Sequence, residues 1–486
     1  MSLLDASKFA VWGLGVSGVA AANRLAELGK SVVASDSREF GPWAENLVLH
    51  PSVELKFGQN ALEGAEVVIP SPGLKPSLPV FERLPPGVQI YSEIDLAYEL
   101  AECDFVSVTG TDGKTTTTSL ISHILDVAGI PGMAAGNIGI PLSEAITKHG
   151  AGHVIVAEIS EFQLWSSKCF RARANAFTNI AEDHLDYFTS MEEIIAAERV
   201  LVENAASDDV MVFNLNDHVL AGWADAYSGP MRNYIVDAVC GGNGQDKPVR
   251  NVSEFAGDAV RDVQYRESIA VRDVPFMERN AVQGVPFLWS DEIRVFEADS
   301  GVLDLSSTEL RGRHNVMNIM AAAQVARVLG VSWDTIQQGI DSFKPLAHRM
   351  QLVHEKSGLR FYDDSKATNA HASMAGLRSA EGNLVVIAGG VEKGLPLEQW
   401  THLLAHKKAK VVVIGEIKER MKAELQLAGV LEVQDASSME DAVDKALALA
   451  QTPASIVLSP ACSSFDMFKS YAHRGEVFAE AARKLA

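Results

Sequence analysis

The stretch FAVWGLGVSGVAAANRLAELGKSVVASDS, residues 9–37, runs from an apolar segment into Gly13-Leu14-Gly15-Val16-Ser17-Gly18. A helical pattern follows, then a second β-branched run, Ser31 to Ala34, that ends at Asp36. Glycines at this spacing let a strand turn sharply into a helix whose N-terminus can face a phosphate. With the acidic residue at the end of the second strand, the segment reads as a dinucleotide-binding fingerprint. The same physics holds any diphosphate, so the ligand stays open at this point between a nicotinamide dinucleotide and another diphosphate.

Working outward, Val67-Val68-Ile69 is a short buried-strand run that stops at Pro70-Ser71-Pro72-Gly73. Proline-rich linkage follows at Pro79, Pro85 and Pro86, and a second unit opens near Asp95. There Phe105-Val106-Ser107-Val108 leads into Thr109-Gly110-Thr111-Asp112-Gly113-Lys114-Thr115 and a helix. Further strand signals are Val154–Ala157, ending at Glu158, and Val210–Phe213. Strands alternating with helical stretches imply a parallel α/β sheet. Between 228 and about 300 the runs are short and alternating, as at 293–296, and suggest antiparallel strands of undetermined register. A third α/β unit begins near Leu346, with strand signals at 384–388, 411–414 and 455–458. The expected fold is therefore α/β in three domains. They would span residues 1–94, 95–345, with a smaller antiparallel part beside a parallel sheet, and 346–486.

Composition narrows the partners. Of 486 residues, 47% are hydrophobic and 22% charged, an ordinary globular balance. A net charge of −21 argues against nucleic acid or an anionic membrane as partner, because no excess of Lys and Arg exists to neutralise phosphates. The four cysteines, Cys103, Cys169, Cys240 and Cys462, form no CxxC pair and fit a reducing compartment. No basic leader precedes an apolar run at the start, and no apolar run approaches spanning length. A cytoplasmic location is expected.

The 110–115 turn carries the strongest chemical signal. Its glycines let backbone N–H groups wrap a phosphate; Lys114 can reach terminal phosphates and the Thr115 hydroxyl can ligate Mg²⁺. A strict P-loop has glycine where Val108 stands, so this is a variant loop. Mg²⁺ wants oxygen ligands, and Glu158 at the end of a neighbouring buried strand is a candidate. His184, within Glu182-Asp183-His184-Leu185-Asp186, is a weaker one.

Nine segments occur in fixed order: TGTDGKTTTT (109–118), AGNIGIP (135–141), EISEFQL (158–164), NIAEDHLDYF (179–188), GRHNVMNIMAAA (312–323), HRMQLV (348–353), DDSKATNAHAS (363–373), AGGVEKG (388–394) and SPACSSFDMFKSYAHRGEVF (459–478). Together they resemble the ATP-dependent Mur ligases of peptidoglycan synthesis, over nearly the whole chain. The resemblance implies an N-terminal Rossmann-like domain (1–94), a central P-loop-type ATPase domain of a parallel sheet with a smaller antiparallel sheet (95–345) and a C-terminal Rossmann-like domain (346–486). It implies an amide-forming, ADP-producing reaction through an acyl phosphate. The DSKATN and SPACSSFD wording points, within that family, to addition of D-glutamate to UDP-N-acetylmuramoyl-L-alanine. It also implies ATP held by Gly110, Thr111, Asp112, Gly113, Lys114, Thr115 and Thr116 with Asn315, Asn318, His348, Arg349 and Asp364. The UDP-sugar would meet Val16, Ser17, Gly18, Asp36, Ser37, Arg38, Ser71, Pro72, Gly73 and Asn137. D-Glutamate would meet Lys366, Thr368, Lys393, Ser464, Phe465 and Tyr471. Lys114, Glu158, His184 and Lys366 would carry catalysis, and Thr115, Glu158, His184 and Glu198 two Mg²⁺ ions. A monomer is expected.

The chain departs from the family pattern in places. The family commonly carries a lysine, carbamylated by CO₂, a short way past the DHLD segment. Aligning 183–186 before it and Glu203-Asn204-Ala205 after it places Glu198 there, so no carbamylated lysine is expected. Asp112 stands where asparagine is common, Glu161 and Trp165 alter their motif, and the stretch from Asn214 to His314 is long. Two further readings remain: a related ligase adding L-glutamate or another amino acid, and a nicotinamide oxidoreductase suggested by residues 13–36. Cys462 could be read as a nucleophile, but no step needs a thiol, and a small buried residue is expected.

Overall fold

The computed structural model describes residues 3–45, 47–182, 187–236, 287–290, 294–297, 300–310, 312–344, 347–380, 382–391 and 397–484. Within them, α-helices cover three β-sheets on both faces.

The first sheet comprises β1 (Lys8–Trp12), β2 (Ser31–Asp36), β3 (Glu54–Phe57), β4 (Val67–Pro70) and β5 (Gln89–Ile90), all parallel, in the order β3-β2-β1-β4-β5. After their exposed first residues β1 and β2 are buried throughout, as parallel strands covered on both faces must be. The order reverses between β1 and β4. Such a switch opens a crevice at the strands' carboxyl ends, and here Gly13–Gly18 and Ser71–Gly73 border it. Gly13 has φ +86°, and a Cβ on Gly18 would lie 2.0 Å from the Gly13 carbonyl oxygen. Only glycine at both positions lets the Val16–Glu27 helix start this close to the turn.

The second sheet has nine strands in the order β14-β13-β12-β11-β10-β9-β6-β8-β7. They are β6 (Asp104–Thr109), β7 (Gly132–Gly136), β8 (Val154–Glu158), β9 (Ala174–Phe177), β10 (Val210–Asn214), β11 (Met231–Val236), β12 (Phe287–Ser290), β13 (Arg294–Glu297) and β14 (Ser300–Asp304). β6 through β12 are parallel. The expected antiparallel part is β12-β13-β14, which continues this sheet through the β11–β12 pairing. The Lys114–Val127 and Arg313–Val328 helices pack together over one face, around Leu120, Ile124, Ile319 and Ala323. In register, Val108 of β6 faces Glu158 of β8, so Glu158 ends its strand level with the entrance to the 110–115 turn.

The third sheet has the order β15-β16-β20-β17-β18-β19, built from β15 (Gln351–Lys356), β16 (Leu359–Asp363), β17 (Asn383–Gly389), β18 (Lys410–Ile414), β19 (Val433–Asp435) and β20 (Ala454–Leu458). Only β15 is antiparallel. β16, β20 and β17 are neighbours, so the loops after them leave the sheet side by side. Cys462 is buried at 4% exposure in this core. Among the described residues no helix is long and apolar enough to cross a membrane.

Candidate active site

Gly110 has φ +118°, and a Cβ there would lie 2.4 Å from Thr178 Oγ1 and 2.6 Å from the Asn179 carbonyl oxygen. Asn179 holds the turn from outside: its Oδ1 accepts from the Asp112 backbone N–H at 3.0 Å, and its Nδ2 donates to the Asp112 carbonyl at 2.9 Å. Gly113, with φ +85°, ends the turn as the helix begins; a Cβ would lie 2.3 Å from Asn318 Oδ1. Asn318 in turn accepts from Thr117 Oγ1 at 3.3 Å and donates to Asn315 Oδ1 at 3.2 Å. The turn is therefore a tight backbone cradle backed by the Arg313–Val328 helix.

Lys114 folds over this cradle, donating from Nζ to the Gly110 carbonyl and, at 3.0 Å, to the Thr111 carbonyl. Burial works against its charge. The carboxylates of Glu161, Glu198, Glu158 and Asp112 outweigh that and hold its pKa above the ordinary lysine value. Glu158 is 2% exposed; Oε1 accepts from Asn137 Nδ2 at 2.8 Å, and Oε2 is buried without a hydrogen-bond partner among the described residues. Glu198, 2% exposed on the Met191–Glu203 helix, accepts from Thr109 Oγ1 at 2.7 Å. Burial, reinforced by Glu161, pushes its carboxyl up to about 8. Glu158, buried with an orphaned oxygen, is a hard donor of the kind a divalent cation takes; among the described residues no three His, Cys, Asp or Glu side chains converge as a ligand set.

The third sheet reaches into the same place. Arg349 Nη2 and Lys366 Nζ each lie 3.4 Å from Thr115 Oγ1. Burial, with Arg349 and Lys114 adding to it, lowers Lys366 to about 8. Asp364 is buried, accepts from Ser459 Oγ at 2.8 Å and from the Met350 N–H at 3.3 Å, and burial pushes it up to about 7. His348 Nδ1 meets Asp363 Oδ2 at 2.6 Å. Ser464 is 1% exposed with a hydroxyl that has no partner among the described residues, whereas Phe465 is 75% exposed. Tyr471 lies under Lys366, its ring centroid 5.7 Å from Nζ. Thr368 follows on the same loop, its N–H bonded to the Lys366 carbonyl at 2.9 Å.

The first sheet supplies a cleft of about 690 Å³, bordered by Leu14, Gly15, Val16, Arg38 and Trp43, with Ser143 across it. Asp36 is already engaged: Oδ2 accepts from the Leu14 N–H at 3.0 Å and Arg38 Nη2 at 2.7 Å, Oδ1 from Arg38 N at 3.0 Å and Nε at 2.8 Å. The Arg38 side-chain hydrogen bond lowers its pKa to about 2. Asp36 thus aims Arg38, which lies 3.7 Å over the Trp43 ring, and pins the glycine turn. Neither oxygen is left for the adenosine ribose of a nicotinamide dinucleotide. Ser17 is half-buried, Ser37 is exposed, and Pro72 offers its carbonyl to Tyr187 at 2.8 Å.

Of the residues singled out from sequence, His184 and Lys393 lie outside the described residues. Sequence reading passed over Thr109, Asn179, Trp43 and His314. The last is half-buried and, chiefly by desolvation, lowered to about 4. Asn179 and His314 stand inside quoted motifs and could have been found there; Trp43 carries no sequence signal.

A phosphate cradle, buried carboxylates and two incoming cations define a nucleotide-using enzyme of α/β domains. Residues 108–326 match the Mur ligase middle domain and residues 348–462 the Mur ligase glutamate ligase domain. The UDP-N-acetylmuramoylalanine–D-glutamate ligase of Desulfitobacterium hafniense is 32% identical over 99% of this chain and 98% of its own. That of Latilactobacillus sakei is 33% identical over 98% and 97%. Among solved structures, a pseudomurein peptide ligase type C from Methanothermus fervidus superposes with a TM-score of 0.60 at 19% identity, covering 99% of this chain and 100% of that one. The chain belongs to the Mur ligase family, and it is an ATP-dependent ligase.

Proposed function

We propose that this chain joins D-glutamate to UDP-N-acetylmuramoyl-L-alanine, forming an amide, ADP and phosphate in peptidoglycan precursor synthesis. Full-length identity to ligases of that name supports the substrates. The observation that carries the chemistry is the approach of Arg349 and Lys366 to Thr115 Oγ1. It brings the loop after β16 onto the phosphate cradle.

A carboxylate is a poor electrophile because its leaving group would be oxide. Transfer of the ATP γ-phosphoryl to it gives an acyl phosphate; the amino acid's amine then attacks the carbonyl and phosphate leaves. Such a transfer needs positioning and charge neutralisation above all. In this reading Gly110–Thr116 hold the phosphates, with Lys114 and Arg349 neutralising them, and Asn315, Asn318, His348 and Asp364 border the nucleotide. Thr115, Glu158, His184 and Glu198 would hold two Mg²⁺ ions, which would supply positive charge for the phosphoryl oxygens. Glu198 brings its own negative charge, so the enzyme needs no CO₂-derived carbamate.

The glycine turn and its surroundings, Val16–Gly18, Asp36–Arg38, Ser71–Gly73 and Asn137, serve the UDP-sugar. Lys366, Thr368, Lys393, Ser464, Phe465 and Tyr471 serve the dicarboxylate. Domains spanning 1–94, 95–345 and 346–486, a monomer, and a cytoplasmic setting complete the proposal. The test is phosphate release from ATP with UDP-N-acetylmuramoyl-L-alanine and a panel of amino acids. Release with D-glutamate is expected; release with L-glutamate or another amino acid alone would reassign the donor.

A further inference from the structure

Arg474 is 1% exposed, in the first turn of the Tyr471–Lys484 helix. Burying a guanidinium is costly unless its donors are met. Here they are met by three separate loops. Nε donates to Ser365 Oγ at 2.9 Å and Nη2 to the Ser365 carbonyl at 2.9 Å. Nη2 also reaches the Cys462 carbonyl at 3.1 Å, and Nη1 the carbonyls of Ser463 at 3.3 Å and Gly389 at 3.4 Å. These are the loops that leave β16, β20 and β17.

Two of those loops lead to residues that the D-glutamate reading assigns to the amino acid: Ser365 precedes Lys366, and Ser463 precedes Ser464. The Ser365 hydroxyl closes the circuit by donating to the Tyr471 carbonyl at 2.8 Å. The junction is too tight for side chains. A Cβ on Gly390 would lie 2.0 Å from the Ser463 carbonyl oxygen, and one on Gly475 would lie 2.3 Å from Asp363 Oδ2. None of the five acceptors is a carboxylate, so the cation's charge is not cancelled by direct contact. The neighbouring buried Ser464 hydroxyl lacks a partner among the described residues, as a group awaiting a ligand would.

We propose that Arg474 is the positioning residue of the amino-acid subsite, setting the spacing of Lys366 and Ser464 and adding attraction for a dicarboxylate. The inference rests on the D-glutamate ligase reading. A planar fork with five N–H donors can meet all five acceptors at once; an ammonium group with three cannot.

The test compares wild type, Arg474→Lys and Ser365→Ala in steady-state phosphate release. In Arg474→Lys, KM for D-glutamate should rise tenfold or more, with KM for ATP and for the UDP-acceptor within twofold. Ser365→Ala, which removes one acceptor and keeps the charge, should show the same split at about threefold. Acyl-phosphate formation without amino acid, followed by positional isotope exchange in ATP, should persist in both. Unchanged KM for D-glutamate, or equal loss in all three substrates, overturns the proposal. If Arg474→Lys does not fold, Ser365→Ala decides alone by the same criteria. A wild-type enzyme inactive with D-glutamate would instead sink the functional reading, whatever the variants do.

Discussion

Asp36 and Glu198 are both buried carboxylates, but their surroundings push them in opposite directions. Asp36 is met by Arg38 and by the backbone of the glycine turn, and titrates near 2 instead of 3.8. A depressed carboxyl stabilises the fold above its unfolded pKa and loses that contribution as pH falls through the folded value. Asp36→Asn should therefore cost about 1–2 kcal/mol at pH 7, discounted because Arg38 is largely exposed. The cost should shrink between pH 4 and pH 2, as read from urea midpoints of the first unfolding transition. KM for the UDP-substrate should rise as Arg38 loses its anchor; an unchanged KM for Asp36→Ala would count against assigning this turn to the UDP-sugar. Glu198 has no such cation in direct contact; burial and Glu161 dominate, and Thr109 supplies its hydrogen bond. A carboxylate so placed is stable as an anion when a cation arrives. Glu198→Ala should raise the Mg²⁺ concentration for half-maximal rate at least tenfold and weaken Mn²⁺ binding measured calorimetrically. Depleting bicarbonate should leave wild-type turnover unchanged. Near wild-type turnover of Glu198→Ala at limiting Mg²⁺ would remove it from the metal site.

At the scale of elements, the strand–turn–helix at 104–127 works because two glycines leave room for neighbours. Gly113 gives way to Asn318, and Gly110 to Thr178 and Asn179. Gly113→Ala would add a methyl group 2.3 Å from Asn318 Oδ1 at a φ of +85° that L side chains avoid. The turn must then open, and KM for ATP should rise at least tenfold while far-ultraviolet circular dichroism stays native. A wild-type KM would show that the Arg313–Val328 helix can recede. That helix is visible in the sequence as an apolar run. Its service as the back wall of the cradle is not, because Asn318 lies 201 positions from Thr117, whose hydroxyl it accepts from.

Across the whole molecule, side chains bridge the sheets. Tyr187 Oη donates to the Pro72 carbonyl at 2.8 Å and Trp165 packs edge-on against Phe81 at 5.2 Å, joining the first sheet to the second. The third meets the second through Arg349, Lys366 and Thr115, at 3.4 Å. These last contacts are long for hydrogen bonds and weak, while Arg349 Nε is buried without a partner among the described residues. A bound polyphosphate would answer both. Mg²⁺ and a non-hydrolysable ATP analogue should therefore reduce the wild-type radius of gyration in X-ray scattering, and reduce it less in Arg349→Ala. Equal compaction in the two would mean that Arg349 does not couple nucleotide to closure.

The α/β class, the glycine turn at 13–18, the phosphate turn at 110–115 and the order of the family's segments are legible from residue pattern alone. These are local: they depend on residues a few positions apart, where chain stiffness and periodicity act directly. The sequence also marked Glu198 as a substitution. Only the folded chain shows that Asp36 accepts from the Leu14 N–H 22 positions earlier, that Glu198 is buried against Thr109, and that β12–β14 extend the main sheet. Only it shows Arg474 reaching three loops at once. Each of these depends on which strands become neighbours, and partners 22 to 109 positions apart are selected by packing of the whole chain, which no local pattern encodes.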